Sequence, residues 1–155
     1  MSRPVDARTA SELASLLGLQ PLPREGGRWG QTHLDGHGSA ILYLLAAGER
    51  SHLHLLPGPE VYFFHAGAPL DVLLLHPDGS TERVVLGPDV VAGERPQLVV
   101  PGGVWQGSSS TGSWSLVGTA MAPPFAERDY RHGNRRELSR RWPSAAARIA
   151  ELTDP

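Results

Sequence analysis

A chain of 155 residues with 40% apolar and 19% charged composition is long enough to bury most of its unfolded surface and too apolar to stay disordered. Its net charge of −2 offers no basic field for nucleic acid. The absence of cysteine excludes disulfides and thiolate chemistry, and because all 14 basic residues are arginine, lysine Schiff-base chemistry is excluded as well. No apolar stretch reaches the roughly 18 residues of a membrane span. No charged segment followed by an apolar run opens the chain, so the cytoplasm is the expected compartment.

Thr9-Ala10-Ser11-Glu12 has the form of a capping box, Leu13, Leu16 and Leu17 follow at helical spacing, and Gly18 supplies a stop, which predicts a helix over 9–17. From about residue 28 to 122 short apolar runs alternate with Gly and Pro clusters. Ile41–Leu45, Val61–His65, Leu70–Leu75, Arg83–Leu86, Gln97–Val100 and Trp114–Met121 read as strands. Pro77-Asp78-Gly79 is a hairpin signal, with Asp-Gly suited to the positive φ angles of a primed turn. Regular strand spacing predicts a sandwich or barrel. The tail turns helical over 134–153, where Asn134 is placed as a cap and Ser144–Leu152 is alanine-rich. With no linker or repeat, residues 1–155 are expected to form a single domain.

Two clusters carry chemistry. Residues two apart on a strand share a face, so His52 and His54 can point together into a barrel, with Glu60 nearby. Two imidazoles and a carboxylate suit a divalent transition metal; the same residues also read as an ordinary solvated strand face, and a bulge would reverse the side of His52. Pro101-Gly102-Gly103 forces a turn into the next strand, where Gln106 is a better hydrogen-bonding group than metal ligand. Tyr43 and Tyr62 lie in strands as core residues or as interior donors; Trp29, Trp105 and Trp114 read as barrel packing, with Trp105 beside Gln106 also placed as a cavity wall. His33 and His37 fall near a turn, and His65, His76 and His132 are expected at solvent, as is the Arg131, Arg135, Arg136, Arg140 and Arg141 run.

His52 and His54 upstream of Glu60 and Gly67 resemble the first motif of the cupin superfamily, and Pro101-x-Gly103-x-x-Gln106 resembles the second, which usually ends in histidine. Glu25-Gly26-Gly27, Ile41–Leu45, Ala66-Gly67, Gly93-Glu94, Val99–Gln106, Ser115–Gly118 and the ending Leu138, Pro143, Ile149 are similar to a branch of small single-domain cupins of unassigned function, related to the sugar-epimerase-like (RmlC-like) cupins. This chain departs from that branch with Phe63 where histidine is usual, Leu55 where arginine is usual, and Pro23-Arg24 where a histidine often sits. The resemblance implies an all-β, double-stranded β-helix (jelly-roll-like) barrel with short terminal helices, a pocket inside it, and a homodimer. It also implies that Glu25 enters the pocket as an acid/base group or an arginine anchor, and that Phe63 lines the pocket.

Three functions follow. One is acid–base catalysis on a small organic or sugar-like molecule (isomerase, epimerase, cyclase or lyase type). Here His54 would be acid or base, Glu60 its partner, and Glu25, Tyr43, Tyr62, Phe63, Trp105 and Gln106 the grip on substrate. Another is a metal-dependent oxygenase or decarboxylase holding iron, manganese, nickel or zinc on His52, His54 and Glu60. The third is a ligand-binding or sensing module without catalysis.

Overall fold

A computed structural model describes residue 5 and residues 8–155; the start of the expected domain, residues 1–4 and 6–7, lies outside the described residues. Helix α1 (Ala10–Leu17) begins where Thr9 Oγ1 accepts the Glu12 N–H at 3.1 Å and ends at Gly18, which takes a left-handed φ of 68°. The strands are β1 (Gln20–Pro21), β2 (Arg28–Leu34), β3 (Ser39–Ala46), β4 (Ser51–Leu55), β5 (Glu60–Gly67), β6 (Leu70–Leu75), β7 (Thr81–Leu86), β8 (Gln97–Val100), β9 (Trp105–Ser110), β10 (Trp114–Met121) and β11 (Arg131–His132). Helices α2 (Arg135–Arg141) and α3 (Ala146–Glu151) close the chain. No helix among the described residues is long and apolar enough to cross a membrane.

The strands form two antiparallel sheets, a six-stranded one ordered β1-β2-β3-β10-β5-β8 and a five-stranded one ordered β11-β4-β9-β6-β7. Strand alternation explains why they face each other. Tyr43, Leu45, Tyr62, Leu98 and Val117 from the larger sheet meet Leu70, Val72, Leu74, Val84 and Leu86 from the smaller one, all buried. A fully buried leucine or valine contributes about 1.5–3 kcal/mol, so this shared layer holds the jelly-roll-like barrel together more than any single hairpin does. Alternate residues of the smaller sheet point the other way. Leu53, Leu73 and Leu75 pack under Leu138, Trp142, Ile149 and Leu152 of the C-terminal helices. On the larger sheet, Leu44, Trp114 and Leu116 pack under Leu13 and Ala14 of α1.

The expected strands are all present; β2 and β4 join them despite polar sequences, because pairing to β3 and to β9 satisfies their backbones. The β6–β7 hairpin differs from the primed turn expected for Pro77-Asp78-Gly79. Gly79 alone there has positive φ (92°), the Gly79 N–H reaches His76 O at 3.0 Å, and the His76 N–H reaches Ser80 O at 2.9 Å. The proline ring locks φ negative at the first turn position, which a primed turn forbids, so a three-residue loop with a left-handed glycine forms instead. The arginine run is not uniformly solvated either. Arg135 Nη2 donates to Ala150 O and Thr153 O, both at 2.6 Å, tying α2 to the chain end.

Candidate functional site

Glu25 sits in the turn between β1 and β2, and its neighbours decide where it points. Gly26 and Gly27 have φ of 97° and 74°. A Cβ on Gly27 would lie 2.7 Å from Leu45 Cδ2 and 2.9 Å from Tyr43 Oη, and one on Gly26 would collide with the Arg50 carbonyl. Only glycine lets the turn lie this close to β3 and to the segment entering β4. The turn is then pinned by Tyr43 Oη donating to Gly26 O at 2.5 Å and the His52 N–H donating to Glu25 O at 2.7 Å. Gly27→Ala is therefore expected to lower stability by about 1–3 kcal/mol through strain at positive φ, read as a fall in thermal midpoint. An unchanged midpoint would mean that the turn is not fixed in this way.

Strand β4 supplies the partner. Its pairing with β9 runs Ser51↔Ser108 and then His54↔Gln106, so an extra residue bulges between them. Ser51 and His54 thus face the interior together, and both reach Glu25. His54 Nε2 lies 3.0 Å from Glu25 Oε1, and Ser51 Oγ donates to the same oxygen at 3.2 Å. The other ring nitrogen of His54, Nδ1, lies 2.7 Å from His52 O. Both nitrogens of this buried ring are therefore engaged. Burial disfavours its charge, but the Glu25 carboxylate beside it prevails, and the His54 pKa is pushed up to about 9.

The pair faces a cavity of about 350 Å³. Glu60, at the start of β5, lines it as well, and its Oε1 is buried with no hydrogen-bond partner. Burial pushes the Glu60 carboxyl above the usual carboxylate range; the positive His54 counteracts this, and the nearby Glu25 reinforces it. The cavity walls are mostly apolar, with Leu22, Trp29, Ile41, Leu56, Met121 and Phe125. Tyr130 stacks on His54 with ring centroids 5.2 Å apart, and Arg24 lies 4.6 Å over the Tyr130 ring. Arg24 is also, among the described residues, the non-glycine residue at positive φ (67°), in the turn that delivers Glu25.

Of the expected site residues, His54, Glu60 and Glu25 come together at this cavity; the others do not line it. The carboxylate bonded to His54 is Glu25 rather than Glu60. Tyr43 and Tyr62 belong to the core, and burial pushes both phenols well above their ordinary pKa, so they stay neutral donors. Gln106 accepts the Tyr62 hydroxyl at 2.5 Å and is occupied by that core contact. Phe63 is on the outer face of β5 and 37% exposed, because the pleat that turns Glu60 and Tyr62 inward turns it outward. Trp105 packs with the layer under the C-terminal helices, beneath Arg131, for the same reason: Gln106 beside it faces in. Tyr130, Arg24 and Thr119 also line the cavity without a site signal in the sequence. Tyr130 reaches the cavity from after the last long strand, and no local signal marks it.

The metal set expected on His52, His54 and Glu60 is not assembled. The bulge in β4 turns His52 away from the cavity, where its ring stacks on His132 with centroids 3.6 Å apart and Nε2 accepts the Asp154 N–H at 3.0 Å. The barrel cavity thus offers one imidazole with both nitrogens in use, a poor donor set for a transition metal. Among the described residues, the group that could hold a metal ion is His52, His132 and Asp154, whose ligand atoms lie within 4.8 Å of one another. His132, expected at solvent, is half-buried, with its ring stacked on His52. Burial lowers the His52 pKa, consistent with a neutral ring that accepts the Asp154 N–H.

Residues 11–133 match the family described as Cupin_5, cupin superfamily (DUF985). The uncharacterized protein 055R of Frog virus 3 (isolate Goorha) is 36% identical over 86 residues, and the match takes in 56% of this chain and 20% of the viral protein. The chain therefore spans about a fifth of that relative. A solved hypothetical protein from Leishmania major superposes with a TM-score of 0.88 at 28% identity, over 96% of this chain and 100% of that one. Protein SO0799 from Shewanella oneidensis gives 0.88 at 32% identity, over 96% and 99%. A mutant of Bacillus subtilis oxalate decarboxylase gives 0.61 at 11% identity, over 97% of this chain and 41% of that one, a likeness of fold alone.

Proposed function

The chain belongs to the Cupin_5 (DUF985) family of the cupin superfamily, and on that premise we propose that it handles a small organic molecule inside the barrel by acid–base chemistry. The observation that carries this reading is the buried His54–Glu25 pair at 3.0 Å, facing the unpartnered Glu60 oxygen across an apolar cavity. Catalytic carboxyls are recognised by environments that set them apart. Glu25 is held by an imidazole and a hydroxyl, whereas Glu60 is buried without a partner for Oε1. In this reading Glu25 takes a proton from the ligand and Glu60 returns one to an oxygen of it. His54, with both nitrogens engaged, positions Glu25 and does not touch the ligand. Reactions of the isomerase, epimerase, cyclase or lyase type need this division of labour.

The test is to incubate the full chain with a small-molecule extract in deuterated water and follow the mixture by mass spectrometry. A compound that gains solvent deuterium or changes mass with the wild-type chain, but not with Glu25→Gln or Glu60→Gln, is the expected result. Conversion that survives both substitutions would overturn the assignment. Conversion that stops on chelation and returns with added metal would move the chemistry to the metal-dependent class. A compound retained unchanged would favour ligand capture without catalysis.

A further inference from the structure

We propose that the cavity takes a compact, uncharged, mostly apolar molecule whose single hydrogen-bonding oxygen meets Oε1 of Glu60. This rests on the reading that the barrel cavity is the working site, and goes beyond it in naming the ligand class. The buried charges of the cavity are paired: His54 is bonded to Glu25, while Arg24 lies at the exposed edge over Tyr130. An anionic ligand would need a buried cation with a free donor, and the described lining residues hold none; it would instead face the Glu25 carboxylate. A cationic ligand would meet His54 beside a Glu60 whose charge burial disfavours.

A sugar or sugar phosphate fits no better. Each hydroxyl buried against Leu22, Ile41, Leu56 or Met121 without a partner weakens binding by roughly one to two orders of magnitude. Among the described lining residues, the fully buried side-chain polar atom without a partner is Oε1 of Glu60. A buried polar group without a partner implies that a bound molecule or water completes it. Aromatic and aliphatic wall residues set around one such point describe a hydrophobic ring or chain with one hydroxyl or carbonyl.

Calorimetric titration of the full chain with naphthol, naphthoate, naphthylmethylamine and glucose phosphate at neutral pH tests this. Naphthol is expected to bind about tenfold more tightly than its two charged analogues, with no binding of the sugar phosphate. Glu60→Leu is expected to weaken naphthol about tenfold, while Glu60→Gln, which keeps a hydrogen-bonding head of the same shape, stays within about threefold of wild type. Should the leucine variant not fold, the glutamine variant and the ranking of the four probes still decide. A charged or sugar ligand binding as tightly as naphthol, or no naphthol binding at millimolar concentration, overturns the proposal. So does a folded leucine variant that binds naphthol like wild type. Because this readout is binding alone, the ligand class can fail while deuterium incorporation stands, and the acid–base reading can fail while naphthol selectivity stands.

Discussion

Glu25→Ala is expected to lower unfolding stability by about 3–5 kcal/mol at neutral pH, because it leaves the His54 imidazolium buried without its partner. The Nε2 of His54 is 3.0 Å from Glu25 Oε1, and the ring is buried between the sheets. No other carboxylate among the described residues lies within ion-pair distance of it. His54→Ala is expected to cost a similar amount, since it strands a carboxylate whose remaining contact is Ser51. The informative variant is the double replacement Glu25→Leu with His54→Leu, which removes both charges from an apolar site. Burying a matched pair of charges is expensive in itself, so the double variant should be destabilised by much less than the sum of the singles. Urea unfolding of the four proteins measures the coupling. Singles that simply add would show that the pair is not an energetic unit, and His54 would then have no positioning role toward Glu25.

Stability should also fall as pH rises through the alkaline range. His54 has an ordinary pKa of 6.5 and a folded value of about 9, so its contribution is fully present below 6.5 and is lost as pH rises through about 9. A shift of this size corresponds to roughly 3 kcal/mol. The groups around it are Glu25 from the β1–β2 turn, Glu60 from β5 and Tyr130 from the segment before β11. Glu60 works in the same direction. Burial raises it, so its contribution is present below its ordinary value of 4.5 and is lost as pH rises. Burial raises the Tyr130 phenol above its ordinary 10, so it stays neutral in this window. His52 acts oppositely. Its pKa is lowered by burial, so its contribution is present above 6.5 and is lost on acidification, when protonation of Nε2 removes the acceptor for the Asp154 N–H. Urea midpoints measured from mildly acid to alkaline pH should therefore pass through a maximum and drop on the alkaline side. In His54→Gln the alkaline drop should largely vanish, and a drop that persists undiminished would place its origin elsewhere.

Much of the architecture was legible because it rests on local rules. The capping box at Thr9, the cap at Asn134 and the apolar runs of β3, β5, β6, β8 and β10 all behave as their residue types require. The hairpin at Pro77–Gly79 was legible as a turn but not in its type, because the proline constraint overrides the Asp-Gly preference. The site was legible in part. Period-two alternation puts Glu60 and Tyr62 on one face and Phe63 on the other. Phe63 was drawn to the pocket only through the position where similar proteins carry histidine. Trp105 and Gln106 divide between two layers by the same rule.

What the amino-acid sequence determined by itself is therefore the run of strands, the caps and turns between them, and the presence of His54, Glu60 and a Glu25-Gly-Gly turn as chemical groups. What only the tertiary structure decided is which of these meet. The bulge opposite β9 separates His52 from His54, and nothing within Ser51–Leu55 announces it, because a bulge is set by pairing with a partner strand. The partnership of Glu25 with His54 depends on a glycine turn packed against Tyr43, Leu45 and the Arg50 carbonyl. The cavity wall at Tyr130 and the pairing of His52 with Asp154 join residues far apart in the chain. Such contacts arise from sheet closure and from the docking of the chain end. Period and propensity describe only neighbours along the chain, so they cannot express them.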